Sequence, residues 1–147
     1  MTTAAFTSAG TTISISAGVP ATIDSSGFGA LTYTAIGEVV DIGEYGRAYK
    51  LVTHNPIGDR ATYKKKGSFD SGKLSLKMAR VPSDAGQALL ITARDSDSNY
   101  AIKVVLQNGT INYFQGIVLS YTTGIGSVDT ITSASVDLEI TGIIVEV

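Results

Sequence analysis

The chain has 147 residues, enough for one domain that buries roughly two thirds of the surface its unfolded form exposes. A net charge of −2 with 16% charged residues gives no field strong enough to draw it to nucleic acid or an anionic membrane, and the lack of cysteine excludes disulfides and thiolate metal sites. The apolar runs fall short of the ~20 residues that span a bilayer, and MTTAAFTSAG has no basic segment followed by an apolar core, so a soluble, unexported chain without membrane insertion is expected.

Sixteen glycines, three prolines and abundant Val, Ile, Ser and Thr describe a mainly β chain, read here as a single domain over 1–147. Residues 1–12 are small and polar and predict a flexible N-terminal arm; Ile13 and Ile15 begin weak strand character, and Gly18 to Gly29 reads as irregular. Leu31 to Ile42 predicts a strand with Leu31, Tyr33, Ala35, Gly37, Val39 and Asp41 on one side. Residues 43–67 form a polar excursion, with extended pieces at about Arg47–His54 and Arg60–Lys66 around the turn chemistry of Asn55-Pro56-Ile57-Gly58.

Lys73 to Arg80 alternates cleanly, with Leu74, Leu76 and Met78 on one face. Ser83 is a good N-cap for one helix, about Asp84–Arg94, which at that length must pack on a sheet. Tyr100, Ile102, Val104 and Leu106 predict a strand, Asn108-Gly109 a two-residue type I′ hairpin, and Thr110 to Thr122, apolar on both faces, a central partner strand. Alternation from Val128 to Thr141 predicts the last strand, and the apolar tail 143–147 should pair within its own subunit or a neighbour.

Gly124-Ile125-Gly126 is not a nucleotide loop, because phosphate cradling needs a following helix and a strand pattern follows instead. It reads as a mobile loop between two long strands. The single histidine, His54, beside a turn, cannot by itself build a triad or a zinc site. Asp95-Ser96-Asp97-Ser98-Asn99 starts like a calcium loop but lacks the glycine turn and closing Glu. Lys64-Lys65-Lys66 fits an edge guard or half of an ion-pair contact better than nucleic-acid binding. Asn108-Gly109-Thr110 matches a glycosylation acceptor that turn chemistry already explains. No enzyme signature, cofactor motif or metal motif is present.

From Leu31 to the C-terminus the order and spacing of IGEVVDIGE, KKKGSFDSGKLSL, RVPSDAGQ, YAIKVVLQNGT and SYTTGIGSVDTITSASVDLEI resemble the major tail tube proteins of long, flexible-tailed bacteriophages. The resemblance implies a small β-sandwich or barrel-like fold with one flanking helix. It implies six subunits per ring, stacked rings forming a tube that conducts DNA without binding it specifically, and a virion tail assembled in the bacterial host cytoplasm. The implied partners are further copies of the chain, a tape-measure protein, and tail tip and terminator proteins.

On that reading the acidic face of Asp129, Asp137 and Glu139 is the candidate lumen wall, since lysine or arginine there would hold phosphates by counterion release. An outer solvent face is the alternative. Contacts between subunits or rings would come from Glu44, Tyr45, Arg47, Arg60, Lys64, Lys65, Lys66 and the loop at Gly124 and Gly126. The rival readings are a related tail component, such as a terminator or contractile-machine tube protein, and a β-sandwich carbohydrate-binding or adhesin module. The latter usually shows exposed tryptophan or tyrosine platforms, and the chain has no Trp.

Overall fold

The computed structural model of the chain describes residues 4–147, so residues 1–3 of the expected N-terminal arm lie outside the described residues. In chain order the elements are β1 (Thr12–Ser16), α1 (Ser25–Gly29), β2 (Thr34–Ala35), β3 (Val39–Asp41), β4 (Ala48–His54), β5 (Tyr63–Asp70), β6 (Lys73–Ala79), α2 (Ala85–Arg94), β7 (Tyr100–Val105), β8 (Ile111–Gly124) and β9 (Ser133–Glu146). Seven strands form one antiparallel sheet in the order β2-β1-β7-β8-β9-β6-β3, while β4 and β5 pair only with each other. The apolar β8 holds the central place its composition predicts.

Chain connectivity dictates the sheet's shape. β2 and β3 are its two edges, yet Ala35 and Val39 are four residues apart and so no more than ~14 Å from one another. The edges of a flat sheet of this width would stand ~29 Å apart. The sheet must therefore curl into an almost closed barrel. Leu31–Ile42 is accordingly not the single strand that alternation predicts. It breaks at Glu38, whose φ of 59° is the one positive value outside glycine among the described residues, and its halves serve opposite edges. Period-2 patterning cannot detect such a bend, because each half keeps its alternation.

The concave face holds the main core, with Ile13, Ile15, Leu74, Leu76, Met78, Ile102, Val104, Phe114, Val136 and Leu138 all buried. Helix α2 packs on it through Leu90 and Ala93. Its N-cap is Asp84, one residue beyond the expected Ser83, and one carboxylate oxygen accepts from both Gln87 N (3.0 Å) and Gly37 N (3.2 Å). Gly86 lies where the helix meets the first edge: a Cβ there would stand 2.3 Å from the Ala35 carbonyl oxygen, so only glycine permits this approach.

Gln87, 1% exposed, completes the closure. Its Nε2 donates to the carbonyls of Gly37 (3.2 Å) and Ala79 (2.9 Å), while its Oε1 accepts from Val81 N (2.9 Å) and the Tyr121 hydroxyl (3.3 Å). One side chain thus ties the inter-edge segment, the end of β6 and the central strand to the helix. This satisfaction of several buried polar groups is what makes an amide tolerable in the core.

The region expected to be irregular before Gly29 contains α1, capped by Asp24 through a 2.7 Å bond from Gly27 N. It drives Phe28 onto the Tyr113 ring, stacked at 5.6 Å, in a second small core with Ala101 on the convex face of the sheet. The β7–β8 connection is also not type I′. Asn108 has no positive φ; Gly109 alone does (91°), and its N–H reaches the Leu106 carbonyl, which is a type I turn followed by a left-handed glycine. Strand β9 starts at Ser133, five residues later than predicted, because Val128–Thr132 belongs to an exposed loop with a Ser127–Thr130 turn. Beyond a bulge at Gly142, Val145 pairs with Tyr113 and Glu146 with Asn112, so the apolar tail pairs within its own subunit.

Candidate assembly surfaces

The paired strands β4 and β5 form an arm whose root is closed by the Gly46 N to Ser71 carbonyl bond (3.3 Å). β4 is exposed along its whole length and β5 at every residue except Gly67, which is partly buried. None of the arm's residues enters either core. Its order comes from local contacts. Phe69 and Tyr49 sit opposite one another with rings 5.4 Å apart; Arg47 stacks over Phe69 (4.3 Å) and bonds the Tyr49 hydroxyl (3.2 Å), and Lys66 lies over Tyr49 (4.9 Å). Cations alternating with aromatic faces gain from the ring quadrupole and brace the arm's root next to the register shift between Tyr49 and Leu51.

At the other end Asp59 N donates to the Pro56 carbonyl (3.3 Å), closing a turn with Ile57 and Gly58 at its corners. The Tyr63 hydroxyl donates to the Asp59 carboxylate, and this bond, followed by that from Ala61 N, holds the Asp59 carboxyl below its usual range. Ile57 is fully exposed. From Arg47 to Asp70 the chain carries six Lys or Arg and two Asp, a net +4, which leaves −6 on the remainder of a chain whose total is −2. Overall neutrality therefore hides a strong internal polarity.

Several of the expected contact residues belong to this arm. Arg60 lies between its turn and β5, and Lys64, Lys65 and Lys66 lie on β5 opposite Thr53, Val52 and Leu51. Glu44 is exposed before the arm. Tyr45 is different: half-buried, it packs 5.2 Å from Phe114 and its hydroxyl accepts from Asn112 Nδ2 (2.7 Å), so its side chain serves its own subunit, and burial pushes its pKa up. Gly124 ends β8 opposite Ser133, and Gly126 takes a φ of 70° in the loop beyond, where Ile125, Val128 and Ile131 are all exposed.

The expected acidic face divides. Asp129 lies in that loop, off the sheet, because the strand starts only at Ser133. Asp137 and Glu139 do share the convex face of β9, but with company. Asp137 accepts from Ser75 Oγ (3.0 Å) and Ser120 Oγ (3.4 Å), and Lys73 stands opposite Glu139. With Lys77 on the same face of β6 and Asp41 of β3 in register with it, the patch sets two lysines among three acids. Elsewhere, Asp95 is held by Arg94 at 3.0 Å, and among the described residues no group of three or more His, Cys, Asp and Glu is placed to hold a metal. No helix among them is long and apolar enough to cross a membrane.

Sequence reasoning missed three participants. Phe69 lies beyond the expected end of the excursion at Gly67, Tyr49 has its ring partner Phe69 twenty residues further along the chain, and Gln87 is an ordinary helix residue until the fold surrounds it with carbonyls.

A curled antiparallel sheet with a short helix packed on it is like that of tail tube proteins. The chain belongs to the lambda phage tail tube protein family, whose family model matches residues 26–143. Its role is accordingly structural, as a component of a phage tail. Among solved structures, a chain in the cryo-EM structure of the anti-feeding prophage baseplate, six-fold symmetrised, is similar in fold: TM-score 0.71 at 11% identity, over 100% of this chain and 97% of that one. A chain in the tail of an empty GTA particle, computed with helical refinement and C6 symmetry, has a TM-score of 0.62 at 12% identity, over 90% of this chain and 92% of that one. No curated protein sequence matches the chain.

Proposed function

We propose that six copies form a ring, that rings stack head to tail into a hollow tube, and that the tube conducts DNA during ejection. The observation that carries this is the arm: a two-stranded sheet with no core of its own, a +4 charge and exposed apolar and cationic side chains is marginal alone and has a surface to offer to another subunit. Membership of the tail tube family and a fold shared with six-fold symmetrised assemblies support the same stoichiometry. The short edges β2 and β3 are the places where neighbouring sheets can join and remove exposed backbone groups. A tape-measure protein, tip and terminator proteins, and assembly in the host cytoplasm complete the reading.

Asp137 and Glu139 are proposed to face the lumen, where their charge balances Lys73 and Lys77 and leaves DNA without a net attractive wall. Asp137→Arg changes that patch from −1 to +1, about twelve added charges around a six-subunit ring, and each phosphate contact made increases the salt-dependent grip on DNA. Tubes should still assemble while ejection slows, most at low salt. Intact tubes with normal ejection at every salt would place the lumen on another face, and failure of the unaltered chain to build tubes would overturn the ring reading itself.

A further inference from the structure

Between β3 and the β1–β7 side of the curled sheet, the barrel seam is not filled. A groove of about 250 Å³ runs there, its apolar side formed by Val39, Val40, Ile42, Tyr45, Val104 and Leu106 and its polar side by Asp41 with Ser8 and Thr11 of the chain's own N-terminal segment. Val40 is 76% exposed in an edge strand, an unusual place for a β-branched apolar side chain. Asp41 lies in its wall, and the exposed Glu38 and Glu44 come just before and just after the wall segment 39–43 in the chain. Glu38 is held there in the left-handed conformation by the bond from Ala79 N to its carbonyl (2.9 Å), and Lys77, in register with Asp41, is the cation beside them.

We propose that this seam groove receives the arm tip of a second copy, with Ile57 entering the apolar walls and Arg60 and Lys64–Lys66 meeting Glu38, Asp41 and Glu44. The inference rests on the stacking reading above and names the surface on which the arm lands. A second copy is required by geometry. The groove's own wall includes Gly43 and Tyr45, just before the arm, and the seven residues of β4 carry the tip ~23 Å away from them. Charge selects the same occupant: arm against arm sets +4 beside +4, whereas arm against body sets +4 beside −6. A contact between two different patches on identical chains is heterologous and propagates, as a growing tube demands.

The chain has no cysteine, so a cross-link can be placed without background. Ile57→Cys and Val40→Cys, both at exposed positions, are prepared separately, mixed, allowed to assemble and mildly oxidised; Leu119→Cys, exposed on the convex face, replaces Val40→Cys as the control. A two-chain band is expected with Val40→Cys and not with Leu119→Cys. Tubes visible by electron microscopy without the Val40 cross-link, or equal cross-linking to Leu119→Cys, would overturn the groove contact and leave the tube standing. A Val40-specific cross-link without tubes would keep the contact and remove the stacking reading, while neither tubes nor cross-link would overturn both.

Discussion

Gln87→Leu is expected to be among the most damaging single substitutions in the chain although it replaces a polar residue in the core by an apolar one of similar size. The leucine removes partners from the Val81 N–H, the Gly37 and Ala79 carbonyls and the Tyr121 hydroxyl together. A buried group left unpaired costs ~1–3 kcal/mol, and even with water reaching some of them the loss should be about 3–5 kcal/mol. For a chain of this size that lowers the melting temperature by roughly 10 °C or more. Gln87→Glu should fare little better, because a carboxylate cannot donate to two carbonyls. Tyr121→Phe removes one bond and should cost only ~1 kcal/mol. Urea unfolding of the three variants tests this ordering; near-wild-type stability of Gln87→Leu would show that the barrel edges are held together by apolar packing alone.

Deleting the arm should have the opposite signature, with a large effect on assembly and almost none on folding. The Gly46 to Ser71 bond already brings the two ends together, so a short Gly/Ser turn in place of residues 48–70 closes the gap with little loop entropy. No core residue is lost, and stability should stay within ~1 kcal/mol of the full chain. Tube growth should stop, leaving a folded subunit or isolated ring in place of long particles. Light scattering against circular dichroism separates the two effects. Tubes formed without the arm would assign stacking to the loop at 125–132 or to the N-terminal residues.

The sequence made some of this architecture readable and concealed the rest for identifiable reasons. Strand β6 could be read because Leu74, Leu76 and Met78 alternate with solvated residues, and β8 because it is apolar on both faces, as a central strand must be. The arm was readable as a polar hairpin around Pro56-Ile57-Gly58. Periodicity gave no warning that Leu31–Ile42 divides between two edges, because the bend is one left-handed residue, Glu38, of a type that favours no such conformation. It misled at Val128–Thr132, where alternation occurs in a loop that nothing covers. The surfaces were harder still. Lys64–Lys66 stood out as a cluster, whereas the cation–aromatic stack and the Gln87 ties join residues far apart in sequence, and the lysines that balance Asp137 and Glu139 belong to a strand more than fifty residues away.

The most direct test of the six-subunit tube is electron microscopy of the purified full chain across a concentration series, with end-on class averages taken from the same grids. Hollow tubes, or rings that precede them, with six-fold end views are expected. A monomer at every concentration, or closed particles of another symmetry, would contradict it.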